Sequence, residues 1–116
     1  MFVRTIEKEL EKWASNPHRK PLVLRGARQV GKTTVVNKFG EQFENYLYIN
    51  LEKLSSKQLM ESTDDVKKLL PLLFLYCNKT RKEGRTLLFI DEIQQSASAI
   101  SLLRYFYEDM PDVYVI

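Results

Sequence analysis

The chain has one cysteine, one histidine, four glycines and little net charge, +3 over 116 residues. A lone Cys77 excludes an internal disulfide and fits a reducing compartment. It lies in an apolar helical run, far along the sequence from His18, so it reads as a small buried hydrophobe rather than a catalytic thiol. Long hydrophobic stretches are also missing. The most apolar window, residues 69–77, is too short to span a bilayer and is bracketed by Lys67, Lys68 and Lys79. Charges interrupt residues 1–9 too early for a signal peptide, and a cytoplasmic location is expected. No internal repeat or low-complexity linker is present.

Hydrophobic residues at 44% and charged residues at 28% describe a globular chain rather than a disordered one. Its length fits one small domain or part of a larger one. Basic residues gather at Arg19, Lys20, Arg25 and Arg28 and again at Lys79, Arg81, Lys82 and Arg85. A solvated surface accounts for such clusters, so nucleic acid is left open as a partner without being indicated.

Against this spare background one segment stands out. Gly26-Ala27-Arg28-Gln29-Val30-Gly31-Lys32-Thr33 matches G-x-x-x-x-G-K-S/T in full. A match of this kind arises by chance in roughly a few chains per thousand of this length. Leu22-Val23-Leu24 before it reads as a buried strand, and Thr33 to Phe39 after it reads as the opening of a helix. A triphosphate is best cradled by backbone N–H groups at a helix N-terminus, where the dipole also favours an anion. Gly26 and Gly31 allow the backbone to curl that closely. Lys32 supplies a catalytic charge for the β and γ phosphates, and Thr33 a hydroxyl for the bridging Mg²⁺. Thr34 offers its hydroxyl or amide to the α-phosphate. Ala27, Arg28, Gln29 and Val30 fill the variable positions, where backbone amides matter more than side chains.

A second element is Thr86-Leu87-Leu88-Phe89-Ile90-Asp91-Glu92, an apolar run ending in adjacent carboxylates. It looks like a Walker B strand. Continuous apolarity suits a strand covered on both faces, and α/β sheets place ligands at the C-terminal ends of their strands. Asp91 would hold the Mg²⁺, through a water, and Glu92 would orient or deprotonate the water attacking the γ-phosphate. Guanine specificity is not expected: Asp91-Glu92-Ile93-Gln94 lacks the glycine of an Asp-x-x-Gly turn, and Asn78-Lys79-Thr80-Arg81 ends in arginine where a carboxylate should read guanine. ATP is the expected nucleotide. A small-molecule kinase would need a lid and an acceptor site, and no arginine-rich lid can be identified.

The patterning predicts a helix over 3–15 with Ile6, Leu10 and Trp13 on one face, ended by Asn16-Pro17. Strands are predicted at 21–25, 46–51 and 86–91, and a fourth beginning at Asp112. Helices are predicted over 32–43, over 64–79 with a kink or restart at Pro71, and over 97–109 with Ile100, Leu103, Tyr105 and Phe106 among its buried candidates. Residues 52–63 read as a loop or short helix. The expected fold is α/β, a P-loop NTPase three-layer sandwich on a parallel sheet of about four strands. Residues 1–17 would be a flanking helical segment and 18–116 the nucleotide-binding core.

Together with Leu47-Tyr48-Ile49-Asn50-Leu51-Glu52 and Leu102-Leu103-Arg104-Tyr105-Phe106-Tyr107-Glu108, these motifs make nearly the whole chain resemble the N-terminal AAA-type ATPase module of a prokaryotic family. There the module is followed by a C-terminal domain of unknown function. The resemblance implies a fourth strand, Val113-Tyr114-Val115-Ile116, between the phosphate-loop strand and the Walker B strand. It also implies that a sensor residue, a fifth strand and the C-terminal domain lie beyond Ile116, so the chain reads as a truncated member. An uncovered fifth-strand position would leave an apolar edge open to self-association or to that domain. Two readings stand: an ATPase module using Lys32, Thr33, Asp91 and Glu92, or a nucleotide-binding fragment with weak or no turnover. A DNA-stimulated ATPase is a third.

Overall fold

The computed structural model describes residues 2–24 and 31–116, the side chains of residues 2–4 excepted. Among these are five helices, α1 (Phe2–Ser15), α2 (Lys32–Gly40), α3 (Leu54–Met60), α4 (Val66–Tyr76) and α5 (Ala97–Asp109). Three strands, β1 (Asn45–Asn50), β2 (Thr86–Asp91) and β3 (Tyr114–Val115), form one parallel sheet in the order β1-β2-β3. The chain is thus α/β. No described helix is long and apolar enough to cross a membrane.

β2 is central and buried at every residue, which is why its sequence runs apolar without alternation. Leu88 and Ile90 join a cluster with Leu69, Leu73, Leu102 and Phe106, from α4 and α5. Leu87 and Phe89 join a different cluster with Leu10, Val36 and Phe39, from α1 and α2. The two-residue period of the strand distributes one apolar run between two cores. β1 pairs with β2 in unbroken register from Asn45 opposite Thr86 to Asn50 opposite Asp91.

The helix ends follow local chemistry. α2 stops at Gly40, three residues short of the predicted end. The next three amides bond back by three residues instead of four: Glu41 to Lys38, Gln42 to Phe39 and Phe43 to Gly40. α4 starts at Val66 because the Asp65 carboxylate caps the Lys67 amide at 3.0 Å. It ends at Tyr76, short of the expected 79. Asn78 adopts a left-handed conformation, and the amides of Asn78 and Lys79 reach back to Leu75 and Phe74. The helix runs through Pro71, which leaves the exposed Lys67 carbonyl without a helical donor. Residues 54–60 form the short helix that the 52–63 segment allowed.

Three expectations are corrected. Residues 21–24 are not a strand, so the described sheet has three strands rather than about four. Pro21 has no N–H, and the segment makes one ladder-like bond, Leu22 N–H to the Val115 carbonyl at 2.9 Å. That bond still lays it along β3, on the side away from β2. The last strand begins at Tyr114 rather than Asp112, after Val113 N–H has turned back to Met110. In α5, Ala99, Leu102 and Phe106 form the buried stripe, and Ile100 is 50% exposed. Ile100 falls one position off that stripe, a phase that composition alone did not set.

The free edge of β1 is covered. Its odd-numbered residues face β2, as in the bonds from Asn45 N–H to Arg85 and from Leu51 N–H to Asp91. On the outer side, Lys79 Nζ donates to the Tyr46 carbonyl at 2.5 Å, Cys77 Sγ to the Tyr48 carbonyl at 3.7 Å, and Lys53 N–H to Asn50 at 3.1 Å. Side chains and a turn thereby blunt an edge that would otherwise invite another strand.

Candidate functional site

Asp91 ends β2 with only 5% of its surface exposed. A carboxylate buried so deeply needs compensating partners, and it has three hydrogen-bond donors and one ion-pair partner. Lys32 Nζ lies 3.8 Å from Oδ1, and the Glu92 amide donates to the same oxygen at 3.0 Å. Thr33 Oγ1 donates to Oδ2 at 3.2 Å, and the Tyr48 phenol donates to Oδ2 at 2.7 Å. Three separate elements meet at this one side chain.

Lys32 and Thr33 arrive together because both sit in the first turn of α2. Gly31 precedes them with φ 74° and ψ 20°, a left-handed conformation that a side chain would disfavour, and its carbonyl accepts the Val35 amide at 2.8 Å. Thr34 is exposed on the same turn. The predicted residues Gly26, Ala27, Arg28, Gln29 and Val30 lie outside the described residues.

Glu92 follows directly, also left-handed at φ 57° and ψ 44°. For a residue with a Cβ this is uncommon and costs roughly 1–3 kcal/mol, the kind of strain that concentrates at functional sites. Gln94 Nε2 donates to Glu92 Oε1 at 2.6 Å across the 3₁₀ turn at Ile93–Gln95. Lys32, Glu92 and Gln94 form the polar side of a groove whose apolar side includes Leu22, Val23 and Ile93. Sequence reasoning thus named Lys32, Thr33, Asp91 and Glu92, and the fold gathers them at the end of β2.

It missed Tyr48 and Gln94. Tyr48 enters the sequence reading only as part of the 46–51 strand and of the Leu47–Glu52 segment, and no local pattern ties it to a residue 43 positions away. Its ring packs against Phe89 at 5.3 Å. Burial, then the bond to Asp91 and the charges of Asp91, Glu92 and Glu52, hold its phenol well above the ordinary tyrosine range. It is therefore a donor at any physiological pH. Neighbouring Tyr46 is likewise pushed up, chiefly by burial, and its hydroxyl donates to Asn37 of α2.

The donor set fits a magnesium ion carried by phosphates. Among the described residues no three His, Cys, Asp or Glu side chains converge to cage a metal alone. Mg²⁺ is ordinarily held by one or two carboxylates together with substrate phosphates, and a carboxylate beside a hydroxyl supplies the hard oxygens it prefers. An ammonium and a helix N-terminus stand next to them for the anion.

Two members of the basic cluster near residues 79–85 make contacts within the fold. Lys79 clips the edge of β1, and Arg85 donates to the Gln42 carbonyl at 2.9 Å while its guanidinium lies 4.5 Å from the Phe43 ring centre.

A parallel α/β sheet, a helix N-terminus and a buried aspartate at a strand end define a fold compatible with the phosphate-loop class. A family model for the AAA domain matches residues 18–116, and the chain belongs to that family. It is an AAA-type, nucleotide-binding module. Comparison with curated proteins and with solved structures gave no match.

Proposed function

We propose that this chain binds Mg-ATP and that its site is built to hydrolyse it. The observation that carries the reading is the convergence of Lys32 and Thr33, from the start of α2, on the buried Asp91 at the end of β2. Helices α1 and α2 on one side of the sheet and α3 to α5 on the other would make the P-loop NTPase sandwich of three layers. Residues 26–33 would be its Walker A motif and residues 86–92 its Walker B strand.

In this reading the amides of residues 26–34 cradle the phosphates, and Lys32 neutralises charge on the β and γ groups. Thr33 and Asp91 hold the magnesium ion, which when bound draws negative charge off the phosphate oxygens. Glu92, half-buried beside Lys32 in the groove, accepts a proton from the attacking water. Gln94 restrains the Glu92 carboxylate by its hydrogen bond. The apolar flank of the groove limits competing water. A cytoplasmic setting supplies both ATP and Mg²⁺.

Calorimetric titration of the full chain with ATP and Mg²⁺ tests the reading. Lys32→Ala should weaken binding about tenfold to a hundredfold, the worth of a charge-assisted contact. Glu92→Gln should keep binding and abolish phosphate release. A wild-type chain that fails to bind ATP would sink the proposal. Equal turnover by wild type and Glu92→Gln would remove Glu92 from the mechanism.

A further inference from the structure

Asp91's three donors and its ion-pair partner divide by origin. Lys32 and Thr33 belong to the first turn of α2, and both have a second task once a nucleotide is present. The Tyr48 hydroxyl and the Glu92 amide belong to the sheet and the turn that continues it. These two take one carboxylate oxygen each: the amide bonds Oδ1 and the phenol bonds Oδ2. Two points on two different oxygens define the plane of a carboxylate, whereas the amide alone would leave the group able to swing about its side-chain torsion.

The phenol is also poorly explained by packing. Its ring already lies against Phe89, a contact that phenylalanine would make equally well. Desolvating a hydroxyl without a partner is unfavourable, and the partner that Tyr48 has is the site carboxylate. Tyr46 supplies an internal contrast. It lies two residues earlier on β1, is half-buried like Tyr48, and bonds Asn37 rather than the site.

From this geometry we infer that Tyr48 is a positioning residue for magnesium: its hydroxyl locks the Asp91 carboxylate in the orientation that receives the cation delivered with ATP. The inference rests on the Mg-ATP reading above. Hydrogen-bond partners of metal-binding carboxylates commonly contribute tenfold or more to metal affinity by fixing the ligand's orientation. Tyr48 would do so from a strand, where register and pleat hold it more rigidly than a loop could.

The test compares ATP affinity of the full chain in excess Mg²⁺ and in EDTA, for wild type, Tyr48→Phe and Tyr46→Phe, with thermal unfolding of each. The ratio of the two affinities isolates the magnesium contribution. Tyr48→Phe should lower that ratio about tenfold and leave the affinity in EDTA unchanged, while Tyr46→Phe should leave the ratio alone. An undiminished ratio in Tyr48→Phe would overturn the inference while leaving Mg-ATP binding intact. An equal fall in Tyr46→Phe would also overturn it, since that would mark a general response of the β1 face. Absence of magnesium-dependent ATP binding in wild type would remove the reading and the inference together.

Discussion

Asn45 and Asp91 stand at opposite ends of the β1–β2 pair, at 3% and 5% exposure, and their hydrogen bonds are of different kinds. Asn45 donates to the Lys82 carbonyl at 2.7 Å and to Thr86 Oγ1 at 3.2 Å, and accepts the Lys82 amide at 2.7 Å. It is a neutral amide sealed to its own connection, which pins the chain entering β2. Asp91 is an acid, and two of its four partners, the Thr33 hydroxyl and the Lys32 ammonium, are side chains from a helix that begins at a glycine turn. The first arrangement closes a hydrogen-bond circuit within the sheet and its connection, and the second ties the sheet to the start of a helix. Burial of a polar group therefore does not by itself mark a site; burial of an acid held by side chains from another element is the stronger pointer.

Substitution at the two ends should separate these roles. Asp91→Asn keeps the shape and removes the charge. ATP affinity in Mg²⁺ should fall about a hundredfold, ~2.7 kcal/mol, measured at a temperature where the variant is still fully folded. Asn45→Ala should act on stability instead. It strips three hydrogen bonds from a buried junction and should lower unfolding free energy by about 2 kcal/mol in urea titration, with the magnesium dependence of ATP binding retained. If both variants lost binding in proportion to stability, the contrast would collapse.

Gly40 packs on Tyr46, beside Asn45, and sharpens the comparison. A Cβ there would meet the Tyr46 ring at 2.7 Å, so Gly40→Ala should cost about 1–2 kcal/mol of stability by overpacking α2 against β1. The magnesium contribution to binding should survive, because the strain falls on Tyr46 rather than Tyr48. The smallest effect concerns Cys77, whose thiol is pushed up chiefly by burial. Its proton stays on in the folded chain as pH rises past the ordinary thiol value, so whatever stability the shift provides is present below that value and fades above it. Alkylation of the folded chain should accordingly lag behind that of the urea-unfolded chain across this range; matching rates would contradict the burial.

Legibility followed the range of the interactions. β2 was readable to the residue because a strand buried on both faces must be apolar throughout, and its limits at Thr86 and Asp91 are where the polarity changes. The limits of α2 and α4 were not, since they depend on how Gly40 meets Tyr46 and how Asn78 turns left-handed. The 21–25 strand was overcalled. Its apolar residues satisfy the pattern, but strand identity needs a continuous ladder, and the described segment makes a single such bond, from Leu22 to Val115.

What the sequence determined by itself was the set of candidate polar groups and their order: a glycine before Lys32 and Thr33, and an apolar strand delivering Asp91 and Glu92. Those assignments rest on short-range requirements, the backbone freedom at Gly31 and the covalent adjacency of neighbouring side chains. The tertiary structure alone decided that Tyr48 reaches Asp91 and that Asn45 seals Lys82, across 43 and 37 positions. Such pairings depend on strand register and on which face each residue presents. These are settled only when both apolar faces of the sheet are buried together.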